Sequence, residues 1–368
     1  MAILFLRLLL SPEVIAYKSM EKYTELSALG EFRLIDRLTR GARLINSSTV
    51  KGVGDDAAVL DYGGKKLLVS TDMLIQGIHF DLTYTPLRHL GYKAVAVNAS
   101  DIYAMNGIPR QITVSIAVSS HFSVESLDEF YSGIYLACEK YGIDLVGGDT
   151  TSSQTGLCVC ITVLGEGKEK EIVYRSTAGE NQLICVSGDL GAAYMGLQLL
   201  KREKLVFQDN GQAQPDFAGY EYILERQLKP EARKDIIELL GQKEILPTAM
   251  IDISDGLASE ILHICTESKV GCNIYEDKIP IDYQTFKMAE ELNMNATVCA
   301  LSGGEDYELL FTVPLEKHDF LSALPGISII GYTCRPSEGC YMTTRDGNRF
   351  ELKAQGWNSF SADSQDNK

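Results

Sequence analysis

Seven aspartates lie at strand ends, in glycine turns or at helix starts, within otherwise apolar segments: Asp55 and Asp56 in VGDDAAV, Asp72 in KKLLVSTD, Asp101 in VNASDIYAM, Asp149 in IDLVGGDTT, and Asp252 and Asp255 in MIDISDGL. This placement constrains the chain more than any other feature. An unpaired carboxylate withdrawn from water is expensive, so a fold that gathers several must supply a cation or raise their pKa values. Taken singly, each has an ordinary role: a Gly-Asp-Asp turn, an N-cap at Ser254 or Asp255, a polar patch of Asn98 with Asp101. Their joint recurrence points to a shared site.

The surrounding pattern is mixed. From about residue 31 it predicts the helix EFRLIDRLTR, the turn KGVGDDAAV, the strand KKLLVSTDM, and a helix from about Pro86 through Asn106. Next come the strand QITVSIAVS, the helix VESLDEFYSGIYLACEKYG and the strands IDLVGGD and LCVCITVLGE. Strands are short and β-branched, and helices repeat apolar residues at three and four. This is an α+β pattern. A polar connection near residues 165–180 leads to a second unit with the strand LICVSGD, the helix AAYMGLQLLKRE, an expected surface loop VFQDNGQAQPDFAG, the strand TAMIDIS, the helix DGLASEILHICTES and the unit SGGEDYELLFTV. The expected domains are therefore 29–167 and 172–360. Residues 1–28 are expected to be a disordered extension or to follow from an early start codon, and 361–368 a disordered tail.

With 368 residues the chain can bury a large core. Fifty acidic against thirty-four basic residues give a net charge of −16, which argues against nucleic acid or an anionic membrane as partner. MAILFLRLLL lacks the basic start of a secretory signal, and no later stretch is long and apolar enough to span a bilayer, so a soluble, cytoplasmic protein is expected. Nine scattered cysteines without a CxxC pair suit reduced thiols.

The donors choose the metal. Asp, Ser and Thr oxygens without a His or Cys partner suit magnesium, and the five histidines show none of the usual zinc spacings. Strand alternation puts Ser70 and Asp72 on one face and leaves Thr71 to act through its backbone or from the other side. Metal-bearing aspartates solve a definite problem, because each close pair of like charges costs about 4 kcal/mol at about 4 Å with an effective dielectric near 20. Two phosphorylated substrates could meet only if cations cancelled that repulsion. GxxxxGK[ST] and protein-kinase motifs are absent, and SGDLGAAYMG lacks the P-loop lysine.

The strings GEFRLIDRL, VGDDAAV, STDMLIQGIHF, KAVAVNASDIYAMNGIP, LVGGDTT, MIDISDGL and SGGEDYELLFTV together resemble the thiamine-monophosphate kinase family, a branch of the superfamily that includes aminoimidazole ribonucleotide synthetase. The resemblance runs from about residue 29 to 360. It implies a two-domain α+β fold whose amino-terminal sheets pair in a homodimer around a central β-barrel. The implied reaction is ATP plus thiamine monophosphate giving ADP and thiamine diphosphate, by in-line transfer with several Mg2+ ions. The implied metal set is Asp56, Ser70, Thr71, Asp72, Asp101, Asp149, Asp252 and Asp255. Gly148, Asp149, Arg175 and Ser254 would contact ATP, with Arg175 a phosphate clamp. His79, Glu305 and Trp357 would meet thiamine monophosphate, Trp357 through a cation–π contact. Asp72, Asp101, Asp149, Asp255 and Arg175 would carry the catalysis. Of Asp55 and Asp56, Asp56 is favoured as the ligand. The alternatives are another ATP-dependent enzyme of the superfamily, or a catalytically silent regulator that binds nucleotide and metal.

Overall fold

Each half of the chain contributes one sheet, and the helix that joins the two sheets also carries the acidic motif VNASD. The computed structural model describes residues 49–51, 54–61, 63–209 and 217–354. The expected helix EFRLIDRLTR, residues 1–28, Trp357 and the tail 361–368 lie outside the described residues.

The first sheet comprises β1 (Thr49–Lys51), β2 (Ala58–Asp61), β3 (Lys66–Ile75), β4 (Ile108–Val118), β5 (Asp144–Ser152) and β6 (Leu157–Gly167), in the order β1-β2-β3-β6-β4-β5. Its pairings are antiparallel except β4 with β5. The strict alternation of LCVCITVLGEG makes β6 buried at every odd residue and half-buried at every even one. The buried face packs on α1 (Leu87–Ala104) and α2 (Val124–Tyr141) around Leu68, Ile102, Ile112, Phe130 and Ile161. α2 is punctuated by its sequence: Ser123 accepts a hydrogen bond from Ser126 N at its start, and Gly142 takes the left-handed conformation at its end. By contrast, α1 is buried nearly all round, from Leu90 to Ala104 apart from Asp101. A helix with no solvated face belongs in the interior.

The second sheet runs β13-β12-β9-β11-β7-β10-β8. These strands are β7 (Gln182–Ser187), β8 (Ala249–Asp252), β9 (Gly271–Tyr275), β10 (Leu309–Pro314), β11 (Ile327–Cys334), β12 (Cys340–Thr343) and β13 (Arg349–Glu351). Only β12 with β9 is parallel. Here the central strands are apolar throughout, because both faces are covered. Ile184, Val186, Ile251 and Leu310 face α6 (Leu257–Ser268) and α8 (Ala296–Ser302), while Leu183, Cys185, Met250 and Phe311 face α5 (Lys234–Gln242) and α9 (His318–Leu321). A further apolar cluster joins α3 (Ala192–Asp209), α4 (Glu221–Leu228) and α7 (Tyr283–Glu291). The expected loop over 206–219 begins later than its polar composition suggests, because α3 continues through Asp209. Residues 210–216 of it lie outside the described residues. No helix among the described residues is long and apolar enough to cross a membrane.

Candidate active site

Helix α1 joins the two halves chemically. Facing β3, Ser70 Oγ donates to Asp101 Oδ2 at 2.6 Å, and the Asp72 backbone N–H donates to Asn98 Oδ1 at 3.2 Å. Asn98 and Asp101 are three residues apart and so share one side of the helix. Toward the second sheet, Ser100 Oγ donates to Asp252 Oδ2 at the end of β8. The glycine turn before β2 then delivers Asp56. One carboxylate oxygen from each of Asp56, Asp101 and Asp252 lies within 4.8 Å of the others.

These acids disturb one another strongly. Burial, reinforced by Asp252 and Asp55, pushes Asp56 up to about 8 despite the opposing Arg175 charge. Withdrawal from water, then the charges of Asp72, Asp252 and Asp56, hold Asp101 well above the carboxylate range. Asp252 is raised by burial, with the Ser100 hydrogen bond opposing. Arg175, on the connection between the sheets, approaches Asp56 at 2.7 Å and Asp55 at 3.5 Å. Even so, Asp56 Oδ2 is buried without a hydrogen-bond partner.

This donor set fits magnesium. The three converging donors are carboxylate oxygens, and ligands of one octahedral Mg2+ at about 2.1 Å stand roughly 3–4 Å apart, inside the 4.8 Å within which these oxygens lie. A cation there would also satisfy the orphaned Asp56 oxygen.

Two loops frame the site from the second sheet. In ISDG and SGGEDY, Glu305 N donates to Ser254 O at 2.6 Å, Tyr307 N to Ile253 O at 2.8 Å, and Ile253 N to Glu308 O at 2.8 Å. Backbones this close leave no room for a side chain at Gly304, where φ is +68° and a Cβ would stand 2.5 Å from Ser254 O. Gly304→Ala is expected to cost about 2 kcal/mol or more, from the left-handed strain plus the clash, and to lower activity by displacing Ser254 and Asp255. A thermal melt and a rate assay check both, and an unchanged melting temperature would refute the close packing.

Residues 54–166 match the family model for AIR synthase related protein, N-terminal domain. The thiamine-monophosphate kinase of Aquifex aeolicus is 34% identical over 335 residues, covering 91% of this chain and 99% of its own. That of Bacillus subtilis is 35% identical over 340 residues, covering 90% and 100%. The chain belongs to the thiamine-monophosphate kinase family. A solved structure of AaThiL complexed with AMPPCP and TMP aligns at TM-score 0.77 and 32% identity, covering 92% of this chain and all of that one, 100%. The hydrogenase maturation protein HypE in complex with ATP shares the fold at TM-score 0.64 and 20% identity, over 91% of this chain and 99% of its own.

The remaining sites that this family resemblance implies fall in different places. The Thr71 side chain points away from Ser70 and Asp72, donating to Ile161 O at 2.9 Å, so only its backbone faces the cluster. Ser254 is exposed and Asp255 half-buried on the ISDG loop. The Asp255 N–H donates to Glu260 Oε1 at 3.0 Å. His79 closes the turn after β3 by accepting from Ile75 N at 3.0 Å. Glu305 is held by Lys93 at 3.0 Å and Gln227 at 2.9 Å. Gly148 and Asp149 lie apart from the cluster, exposed on edge strand β5. Asp149 shares the row Met73–Cys160–Ser115–Asp149, which alternates with the row of Asp72, and stands three strand spacings, about 14 Å, from β3. Gly148 has its own reason to be glycine, since a Cβ would lie 1.8 Å from Val114 O.

Sequence inspection missed Ser100, Glu260 and Lys93. Glu260 is buried and held well above the carboxylate range, by burial and then by Asp255. Its signal was its place one turn after the ISDG loop, where it can cap a free backbone N–H.

Proposed function

We propose that this chain transfers the γ-phosphoryl group of ATP to thiamine monophosphate, giving ADP and thiamine diphosphate by in-line displacement with several Mg2+ ions. The observation that carries this is the convergence of Asp56, Asp101 and Asp252, from three separate elements, in a member of the thiamine-monophosphate kinase family. It is supported by the likeness to AaThiL, whose structure contains AMPPCP and TMP.

Asp56, Asp101 and Asp252 would hold magnesium, with Ser70, Asp72, Asp149, Asp255 and the Thr71 backbone as further donors. Bound there, magnesium would neutralise the phosphates and the charge that spreads over the transferring group. Arg175, now balanced by Asp56, would share itself with a phosphate; its planar fork suits that task. Gly148, Asp149 and Ser254 would contact ATP, and His79, Glu305 and Trp357 the thiamine monophosphate. The acceptor oxygen is already ionised near neutral pH, so no side chain must remove a proton; orientation and charge stabilisation carry the rate.

The same proposal includes two domains over 29–167 and 172–360 and a cytoplasmic homodimer whose amino-terminal sheets form a central barrel. The uncovered sheet face, with Met73 52% and Val146 58% exposed, supports that pairing. It also gives Asp149, on that side of the sheet, a route to a site completed by a second copy.

Purified protein incubated with MgATP and thiamine monophosphate is expected to form thiamine diphosphate. Chelation should reduce the rate to background, and added Mg2+ should restore it. ATP turnover with another acceptor, but none with thiamine monophosphate, would sink the proposal.

A further inference from the structure

The second sheet carries a group of thiols that phosphoryl transfer does not use. Cys265 on α6, Cys272 on β9 and Cys340 on β12 bring their sulfurs within 4.8 Å of one another. They come from three elements. Cys272 and Cys340 are direct partners in the parallel pairing of β9 with β12, and Cys265 descends on them from the helix above. Cys272 and Cys265 are buried and Cys340 is half-buried, so the group opens toward solvent on one side.

A fourth sulfur lies nearby but on the opposite face of the sheet, since Thr333, not Cys334, is the register partner of Cys272. Cys334 on β11 lies against Gly271 and Gly339, the residues that precede Cys272 and Cys340, with its Sγ 3.9 Å from Gly339 O. A Cβ at Gly271 would stand 2.6 Å from both Arg335 O and Gly339 O, so glycine lets these strands close around the thiols.

We propose that Cys265, Cys272 and Cys340 form a thiolate site for a single Zn2+ ion, with water in the fourth position. Zinc–sulfur bonds of about 2.3 Å place tetrahedral ligand sulfurs roughly 3.8 Å apart, within the spacing found. Each bond replaces an S–H bond and releases its proton to solvent. The ion would tie the end of α6 to β9 and β12, about 12 Å along the helix from the ISDG loop. Its role would be structural, and the proposal does not depend on the phosphoryl-transfer reading.

The test uses the reduced, chelator-stripped full chain, titrated with Zn2+ against a chromophoric chelator and with Cd2+ to read the thiolate-to-metal charge-transfer band, which carboxylates do not give. One tight equivalent per chain is expected. Cys340→Ser should weaken binding by more than about 100-fold, beyond the loss typical of an outer-shell change. Cys158→Ser, on the other sheet, should not weaken it. Zn2+ should also shield the three thiols from alkylation in the unmutated protein, a readout independent of how the variants fold. Absence of the charge-transfer band, or binding unchanged in Cys340→Ser, would overturn the proposal. So would a chain two hydrogens lighter before reduction because these thiols form a disulfide.

Discussion

Asp101→Asn is expected to lower the turnover number by about 1,000-fold or more while leaving the metal-free protein at least as stable as the unmutated chain. Asp101 lies between Asp72, Asp252 and Asp56, and all three raise its pKa. Asparagine keeps an oxygen to accept the Ser70 hydrogen bond but removes one member of a mutually repelling group. A carboxyl whose pKa is raised in the fold, by burial and then by like charges, opposes folding at neutral pH, where the unfolded chain would ionise it, so the apo fold is relieved, not injured. Catalysis moves the other way. A thousandfold in rate is about 4 kcal/mol, the scale of stabilisation that a correctly held metal supplies to a charged transition state. Melting curves with and without Mg2+, alongside rates at saturating substrates, separate the effects: the variant should lose the Mg2+-induced rise in melting temperature together with its activity. A rate within tenfold of the unmutated protein, or an undiminished Mg2+ shift, would remove Asp101 from the metal site.

How far the sequence foretold this site depended on the kind of element. Strands announced themselves by alternation, as in β3 and β6, where the side-chain period settles which residues face α1. It correctly turned Thr71 away from Ser70 and Asp72. Helix α1 was harder. Buried on every side, it has no polar stripe to mark a functional face, so Ser100, the link to Asp252, could not be told from a packing residue. Asp149 shows the opposite difficulty: its motif resembles those of the other acids, yet strand order places it at the far edge of the sheet. Strand order is a tertiary property that local pattern does not carry. The thiol group was equally hidden. Its spacings, six residues between Cys265 and Cys272 and a long gap to Cys340, match no familiar metal motif, and only the parallel pairing of β9 with β12 brings the sulfurs together.

The second large effect is expected at Glu308, in the GGEDYELL segment, where the family resemblance singled out only Glu305. Glu308 is 1% exposed, and its carboxylate accepts from Ser187, from Arg226 at 2.7 Å and from Arg233. Beside it, Asp306 receives Gly191 N at 2.7 Å and Ala193 N at 3.3 Å, the free N–H groups where α3 begins. The acids that follow Glu305 in this loop therefore lock β7, α3 and α4 to β10. Glu308→Gln leaves the nearly buried Arg226 with Asp306 at 3.7 Å, and Arg233 with the outward-lying Asp235 at 2.8 Å, but takes away the buried anion that both share. Removing one partner of such a buried pair costs about 3–5 kcal/mol, because the stranded charge keeps its desolvation penalty. Urea midpoints should fall accordingly, and at about 2–4 °C per kcal/mol the melting temperature should drop by roughly 10 °C. Glu308 lies behind the loop and not in the aspartate cluster, so the folded fraction should retain Mg2+-dependent turnover at low temperature. A loss below about 1 kcal/mol would mean that Asp306 and Asp235 suffice to balance the two arginines and that Glu308 does not lock the segment.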